Sequence, residues 1–263
     1  MEIMVKKYEL ENDLKLAIKK GQMFLLYQPK VCLTTGQIMS AEALIRWQHP
    51  KYGFISPVEF ISIAEESNSI IEIGHWVIET ACLQMVKWQN QFDLSGIAVN
   101  VSSVQLNQPD FVNEVKTILN STGCEADRLE IEQTESWIMD NPDQNISVLE
   151  QLKQIGVKLA LDDFGTAYSS LSQVGRLPLD VLKIDKSFID NCATNQRDHM
   201  IVRTIIQLGH NLGMKIVAEG VETQAQRDLL AKEGCDLFQG YFFSKPITAD
   251  AFELLLQQRT TAL

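Results

Sequence analysis

The sequence predicts an α/β barrel, and three observations lead to that prediction. The chain has 263 residues, which is long for one compact domain but ordinary for such barrels. From about residue 96 onward, short apolar runs alternate with longer amphipathic segments, the pattern of parallel strands joined by helices. Six such runs follow one another, and more strand-like sequence lies upstream. A closed barrel is therefore favoured, and an open doubly wound sheet is the structural alternative.

The amino-terminal third is expected to supply a helix, a hairpin and a second helix. Residues 1–20 are charged throughout, so they are interpreted as an N-terminal helix or linker rather than a signal peptide. The stretches MFLLYQPKVCL and IMSAEALIRW look like two strands joined by a tight turn at TTGQ, which would make one strand antiparallel. The helix that follows has core residues at three- and four-residue spacing: Ile73, Val77, Ala81, Met85 and Trp88.

The other strands are expected in order along the rest of the chain. Their sequences are GIAVNVS, RLEIEQT, KLALDDFG, VLKIDKS, KIVAEGV and CDLFQGY. Helical stretches such as PDFVNEVKTILNST and DHMIVRTIIQLGHNL lie between them. Because no low-complexity tract or Gly/Ser linker interrupts the chain, residues 1–263 are predicted to form a single domain.

Composition limits the classes of partner and compartment. The net charge of −11 argues against DNA as a partner, although an anionic ligand could still bind through metal ions. Five cysteines without a CxxC motif favour a reducing compartment over a disulfide framework or a zinc site. No apolar run approaches the roughly 20 residues that a membrane span needs. We therefore expect a cytoplasmic protein, or the cytoplasmic domain of a membrane protein.

Polar side chains recur at the carboxyl ends of the predicted strands, which meet at one mouth of an α/β barrel. The set consists of Glu42, which closes the hairpin's second apolar run, and Asn100, Glu132, Asp162, Asp163, Lys183, Glu219 and Gln239. Two carboxylates about 4 Å apart repel each other by about 4 kcal/mol at an effective dielectric near 20. Five carboxylates in one place therefore need cations, and oxygen ligands favour Mg²⁺, Mn²⁺ or Ca²⁺ over zinc.

The adjacent pair Asp162 and Asp163 indicates a site for two metal ions. At a strand end the alternation of side chains no longer applies, so both carboxylates could serve the same site. Paired metals suit phosphoester hydrolysis, and Lys183 could orient or deprotonate a water or neutralise charge. Each of these residues taken alone has a plainer interpretation as a helix cap, a solvated glutamate or a surface lysine. Their recurrence at successive strand ends favours a shared site.

These motifs resemble the EAL domain family, whose members hydrolyse cyclic di-GMP, a bacterial second messenger. The signature Glu42-Ala43-Leu44 lies in AEALIRWQHP. The segments YQPKV, FISPVEFISIAEESNSI, NVS, EQTES, LALDDFGTAYSSL, LPLDVLKIDKSFI, VAEGVET and QGYFFSKP also fit in order, from about Tyr8 to Leu256. The resemblance implies a modified TIM (β/α)8 barrel with one antiparallel strand. It also implies a phosphodiesterase that produces linear pGpG by in-line attack of a metal-activated water.

The resemblance further implies a role for each matching residue. Glu42, Asn100, Glu132 and Asp162 resemble the ligands of a first metal, and Asp162, Asp163 and Glu219 those of a second. The catalytic group comprises Lys183, Glu42, Glu219 and Gln239, with the lysine and the glutamine next to the water. Substrate-binding residues are Gln28, Arg46 and Asp185; supporting residues are Thr134, Glu135 and Glu222. Two Mg²⁺ or Mn²⁺ ions are expected as cofactors, and Ca²⁺ is expected to inhibit.

Three further expectations concern regulation, the oligomeric state and an upstream domain. Ala167 replaces the second glycine of the family's DFGTGYSS loop, which is thought to link metal binding to dimerisation, so regulation could differ. A homodimer is expected, and residues 1–20 resemble the segment that often follows an upstream GGDEF or sensory domain. The alternative function is a catalytically silent receptor for cyclic di-GMP. The presence of every metal ligand and of Lys183 favours the enzyme.

Overall fold

The structure is a computed structural model that describes residues 2–165 and 174–260, so the expectation about Ala167 lies outside the described residues. Its centre is a sheet of nine strands, eight of which close into a barrel. The strands are β1 (Met23–Cys32), β2 (Ile38–His49), β3 (Gly53–Ile55), β4 (Gly96–Asn100), β5 (Leu129–Thr134), β6 (Lys158–Phe164), β7 (Val181–Ile184), β8 (Lys215–Ala218) and β9 (Leu237–Phe238).

The order of pairing closes the barrel and confirms the predicted topology. Around the ring the strands follow the order β1, β9, β8, β7, β6, β5, β4 and β2, and β2 pairs with β1 again. Strand β1 is antiparallel to both of its neighbours, and the other pairs in the ring are parallel. The hairpin at TTGQ is thus present, and Gly36 in its turn has φ +70°, which glycine adopts without steric cost.

Helices surround the barrel in the alternation that the sequence predicts. They are α1 (Glu2–Ala17), α2 (Pro57–Glu66), α3 (Ile70–Gln89), α4 (Ser103–Leu106), α5 (Phe111–Thr122), α6 (Glu135–Asp140), α7 (Pro142–Ile155), α8 (Lys186–Ile189), α9 (Gln196–Asn211), α10 (Gln224–Lys232) and α11 (Ala249–Thr260). The five predicted core residues of α3 are all buried. Helix α10 begins with a capping box between Thr223 and Gln226, which satisfies backbone donors at its amino end.

Helix α1 packs against the domain. Leu10 and Leu14 are buried in the hydrophobic core. On its polar side, Lys6 and Lys7 pair with Glu59 and Glu66 of α2, each at 2.6 Å. The predicted N-terminal helix is therefore present over Glu2–Ala17, and its role as a linker stays a prediction. Among the described helices, none combines the length and the apolar character that a membrane span requires.

The position of Glu42 corrects one expectation. This residue was predicted to close its strand, but β2 continues through it to His49. The strand is long because it pairs with β1 as far as Trp47 and then with β3 at Trp47–His49. Glu42 therefore lies within the strand, opposite Gln28 of β1 and Ala98 of β4.

Candidate active site

Asp162 and Asp163 lie at an irregularity within β6, which is a second correction to the sequence prediction. The strand continues to Phe164, and its register with β7 shifts between Leu161 and Phe164. Asp163 has φ +56°, in the left-handed region. A left-handed residue interrupts the alternation of side chains between the two faces of a sheet. The pair can therefore share one site because the strand is kinked, without the strand having to end.

The left-handed backbone of Asp163 leads to a prediction about stability. Asparagine tolerates this conformation better than alanine does, and both substitutions remove the same charge. We expect Asp163→Asn to be about 1 kcal/mol more stable than Asp163→Ala. Urea unfolding of both variants in EDTA would measure the difference in the free energy of unfolding. Equal stabilities would show that the conformation at this position carries no such cost.

Lys183 lies at the centre of the acidic cluster. It is 1% exposed, and its Nζ lies 2.5 Å from Glu132 Oε2, 2.7 Å from Glu219 Oε1 and 3.1 Å from Asp162 Oδ2. A fourth carboxylate, that of Glu42, is 3.9 Å away. The elements that supply these residues are β2, β5, β6, β7 and the end of β8. The structure thus brings together side chains that the sequence predicted to share the barrel mouth.

The pKa shifts follow from burial and from this crowding. Burial opposes the charged form of Lys183, but Glu132, Glu219, Glu42 and Asp162 together raise its pKa well above the usual value. Burial and the neighbouring carboxylates raise the pKa of Glu219 to about 8. Burial, followed by the charge of Glu132, likewise raises the pKa of Glu42. Ionising all of these carboxylates would therefore leave more negative charge at the mouth than its lysine neutralises.

Glu42 connects the acidic cluster to a set of amides. Asn100 Nδ2 donates to Glu42 Oε1 at 2.6 Å, and Gln239 Nε2 donates to Glu42 Oε2 at 2.5 Å. Gln239 Nε2 also lies 2.9 Å from Gln28 Oε1. Gln239 is buried, yet its Oε1 has no hydrogen-bond partner among the described residues. A buried oxygen of this kind is costly unless a water or another ligand supplies the missing contact.

These residues fit divalent cations. Asp162, Asp163 and Glu219 each offer an oxygen, and the three oxygens lie within 4.8 Å of one another. The predicted set contains five carboxylates and one lysine, so it carries a charge of −4 when all are ionised, which two divalent cations would balance. All of these ligands are oxygen atoms, which suit Mg²⁺, Mn²⁺ and Ca²⁺. The structure therefore contains an acidic cluster suited to metal binding.

The predicted substrate-binding residues lie around the mouth. A cavity of about 270 Å³ there is lined by residues that include Gln28, Glu42, Glu219, Gln239 and Tyr241. The Arg46 guanidinium is half-buried on β2 and donates to the Ile45 carbonyl at 2.9 Å. Asp185 caps α8 by accepting from the Ser187 amide at 3.1 Å. Burial and the charge of Asp162, followed by the charge of Asp185, raise the pKa of Asp163.

The predicted supporting residues differ in their surroundings. Glu135 is buried, and its Oε2 accepts from the amide of Gly165 at 3.0 Å, two residues after Asp163 and directly after β6. Thr134 is exposed at the end of β5. Glu222 is exposed and forms an ion pair with Lys186. Of the three, Glu135 makes a hydrogen bond to the segment that follows Asp163, and the supporting roles stay predictions.

One residue of the site escaped the sequence analysis. Lys30 is 1% exposed inside the barrel, and its Nζ lies 2.6 Å from Glu132 Oε1. A lysine within the apolar stretch MFLLYQPKVCL was the available signal, since a buried charge needs a partner. Its partner could not be identified because Glu132 is a hundred residues away in the chain.

The chain is similar to known proteins both in sequence and in fold. The sequence pattern of the EAL domain matches residues 11–246. The bifunctional diguanylate cyclase/cyclic di-GMP phosphodiesterase MucR of Pseudomonas aeruginosa is 42% identical over 92% of this chain and 36% of its own length. The cyclic di-GMP phosphodiesterase NbdA of the same organism is 41% identical over 95% of this chain and 32% of its own length. The chain thus spans about a third of these relatives.

Solved structures share the fold. The MucR phosphodiesterase in complex with c-di-GMP superposes with a TM-score of 0.89 at 42% identity, over 93% of this chain and 99% of that one. The EAL enzyme Bd1971, bound to cAMP and cyclic-di-GMP, has a TM-score of 0.90 at 32% identity, over 96% of this chain and 69% of that one. Because the family pattern covers most of the described barrel and its acidic cluster, the chain belongs to the EAL domain family.

Proposed function

We propose that this chain is a metal-dependent phosphodiesterase that opens one phosphodiester of cyclic di-GMP to give linear pGpG. The observation that carries the proposal is the ammonium of Lys183, buried among four carboxylates at the barrel mouth. The relatives MucR and NbdA are named cyclic di-GMP phosphodiesterases. This similarity supports the same substrate here.

We assign two Mg²⁺ or Mn²⁺ ions to the acidic cluster. Glu42, Asn100, Glu132 and Asp162 would hold one, and Asp162, Asp163 and Glu219 the other. When bound, such a pair neutralises the carboxylates, lowers the pKa of water and stabilises the leaving oxygen of a phosphoester. The three carboxylate oxygens within 4.8 Å support this assignment, as does the buried Oε1 of Gln239, which has no partner in the described part of the chain.

The chain's own side chains have separate tasks in the proposed reaction. Lys183 is surrounded by carboxylates, so it acts as a hydrogen-bond donor that orients the attacking water and offsets negative charge as the phosphate is attacked. Gln239 Oε1 accepts a hydrogen bond from that water. Gln28 and Arg46 hold the dinucleotide, and the Arg46 guanidinium is suited to a phosphate. Asp185 binds the dinucleotide at the rim of the barrel mouth. Glu42 and Glu219 position Lys183, and Glu135, Thr134 and Glu222 support neighbouring segments.

The proposal predicts that cations decide turnover. Incubation with cyclic di-GMP and Mg²⁺, followed by chromatography of the nucleotides, is expected to yield pGpG, and EDTA is expected to stop the reaction. Ca²⁺ is expected to inhibit because its larger and more flexible coordination shell positions water poorly. A rate with Ca²⁺ equal to that with Mg²⁺ would contradict the metal assignment. Retention of intact dinucleotide without turnover would instead indicate the silent receptor.

The cellular setting is also proposed. All five cysteines are free thiols, which supports a reducing, cytoplasmic compartment. Relatives about three times as long as this chain support further domains in a longer protein. An upstream GGDEF or sensory domain and a membrane-bound setting stay predictions. A homodimer stays a prediction, as does the absence of DNA as a partner. Size-exclusion chromatography with light scattering would measure the oligomeric state.

A further inference from the structure

Lys30 is a buried cation to which the reaction described above assigns no task. Its Nζ lies 2.6 Å from Glu132 Oε1 and 2.6 Å from Glu130 Oε1. Both glutamates belong to β5, two residues apart, so their side chains face the same side of the strand. Glu130 is deeper in the barrel and lines a cavity of about 260 Å³ at the end opposite the mouth. Lys30 therefore lies between the active site at the barrel mouth and the cavity at the opposite end of the barrel.

The antiparallel direction of β1 explains how a lysine reaches this place. Gln28 lies opposite Glu42 near the mouth, and Lys30 lies opposite Ser40, two residues deeper on the same face. A side chain on β1 therefore points into the barrel below the site, at the level of β5. At this depth a lysine is stable because two carboxylates accept its hydrogen bonds.

The carboxylate of Glu132 is held at both oxygens. Lys30 binds Oε1 at 2.6 Å, and Lys183 binds Oε2 at 2.5 Å. The side chain of Glu132 has no exposed surface. Although burial opposes the ionised form, the charges of Lys183 and Lys30 lower the pKa of Glu132 to about 2. Two fixed contacts define the plane of the carboxylate and the direction in which Oε2 points.

We propose that Lys30 is a positioning residue for the cation site. It occupies Glu132 Oε1 and thereby turns Oε2 toward the mouth, where Oε2 meets Lys183 and the other carboxylates. This inference rests on the proposed cation site. Hydrogen bonds that orient metal ligands typically change metal affinity or activity 10- to 100-fold when they are removed. The competing explanation is that Lys30 only balances buried charge and stabilises the barrel.

The test compares Lys30→Met with Glu130→Gln. The first variant removes the contact to Glu132 Oε1, and the second removes the negative charge of the other partner of Lys30 while the Lys30–Glu132 contact remains. Binding of Mn²⁺ alone is measured by the electron paramagnetic resonance of the free ion. Turnover of cyclic di-GMP supplies kcat and KM, and thermal unfolding monitors the fold.

We expect Lys30→Met to weaken Mn²⁺ binding about 10- to 100-fold and to lower kcat, with KM for the dinucleotide within about twofold of wild type. Glu130→Gln is expected to keep Mn²⁺ affinity within about twofold of wild type, even if it changes the unfolding temperature. Equal Mn²⁺ affinity in the two variants would overturn the positioning role, because loss of the contact to Glu132 Oε1 would then have no effect of its own on the cation site. If Lys30→Met does not fold, the double variant Lys30→Met/Glu130→Gln, which also removes the charge that Lys30 leaves unpaired at Glu130, is compared with Glu130→Gln under the same criteria.

The wild-type protein separates this inference from the proposed function. Mn²⁺ binding without turnover of cyclic di-GMP would refute the phosphodiesterase and leave the Lys30 comparison valid, because the comparison is made on the metal alone. Absence of Mn²⁺ binding by the wild type would overturn both the cation site and the role of Lys30.

Discussion

Replacing Lys183 with alanine is expected to lower turnover of cyclic di-GMP at least about 100-fold, the usual effect of removing a donor to developing charge. The lysine is 1% exposed and lies within 3.1 Å of the Glu132, Asp162 and Glu219 carboxylates, so no other side chain can take its place without rearrangement. Chromatography of pGpG formed under saturating Mg²⁺ would measure the loss.

The same substitution has a consequence for stability. Removing one partner of a buried ion pair leaves uncompensated charge and typically costs 3–5 kcal/mol. We therefore expect Lys183→Ala to unfold at a lower temperature than wild type in EDTA and to gain more from added Mg²⁺. Lys232→Ala is a control because Lys232 is exposed on α10, far from the barrel mouth. Turnover of Lys183→Ala within a few-fold of that control would rule out the assigned role.

Asp162→Asn is expected to lower kcat for cyclic di-GMP by a similar or larger factor, about 1000-fold. This factor corresponds to an increase of about 4 kcal/mol in the activation free energy. Asp162 Oδ2 lies 3.1 Å from Lys183, and an oxygen of Asp162 lies within 4.8 Å of oxygens of Asp163 and Glu219. In the proposed site Asp162 is a ligand of both cations, so removal of its charge weakens the binding of both.

The substitution leaves the local backbone supported. Asp162 Oδ1 accepts a hydrogen bond from the Asp163 amide at 2.9 Å, and an asparagine oxygen can accept the same bond. We therefore expect a folded protein whose unfolding temperature in EDTA is at least that of wild type, because one of the mutually repelling charges is gone. Asp93→Asn, on an exposed loop, is the matched control. Full turnover by Asp162→Asn with unchanged dependence on Mg²⁺ would exclude a bridging role.

Much of the barrel could be predicted because its signals are local. Apolar runs such as GIAVNVS and KIVAEGV are strands β4 and β8 with short extensions, and the spacing of Ile73, Val77 and Ala81 marks the buried face of α3. The turn at TTGQ predicted the hairpin that makes β1 antiparallel. These features depend on the periodicity of side chains along one segment, which can be read without knowledge of any other segment.

The site could be predicted in composition but not in geometry. The sequence indicated that carboxylates, a lysine and amides gather at the barrel mouth, and it placed Glu42 at a strand end, which was wrong. It contained no sign that Asp163 adopts φ +56° within β6. Pairing across the sheet determines where a strand ends and where its register shifts, so these features depend on neighbours that are distant in the chain.

The sequence by itself determined the family, the order of the elements and the set of residues available for chemistry. Each of these can be recognised from short contiguous motifs without knowledge of the rest of the fold. Only the tertiary structure decided which oxygen of Glu132 faces Lys183 and which faces Lys30. It also decided that Gln239 keeps one buried oxygen without a partner among the described residues. These properties arise when barrel closure brings side chains of β1, β5 and β7 and of the end of β9 within hydrogen-bond distance. The charge, burial and direction of each of these side chains then depend on all of those strands together.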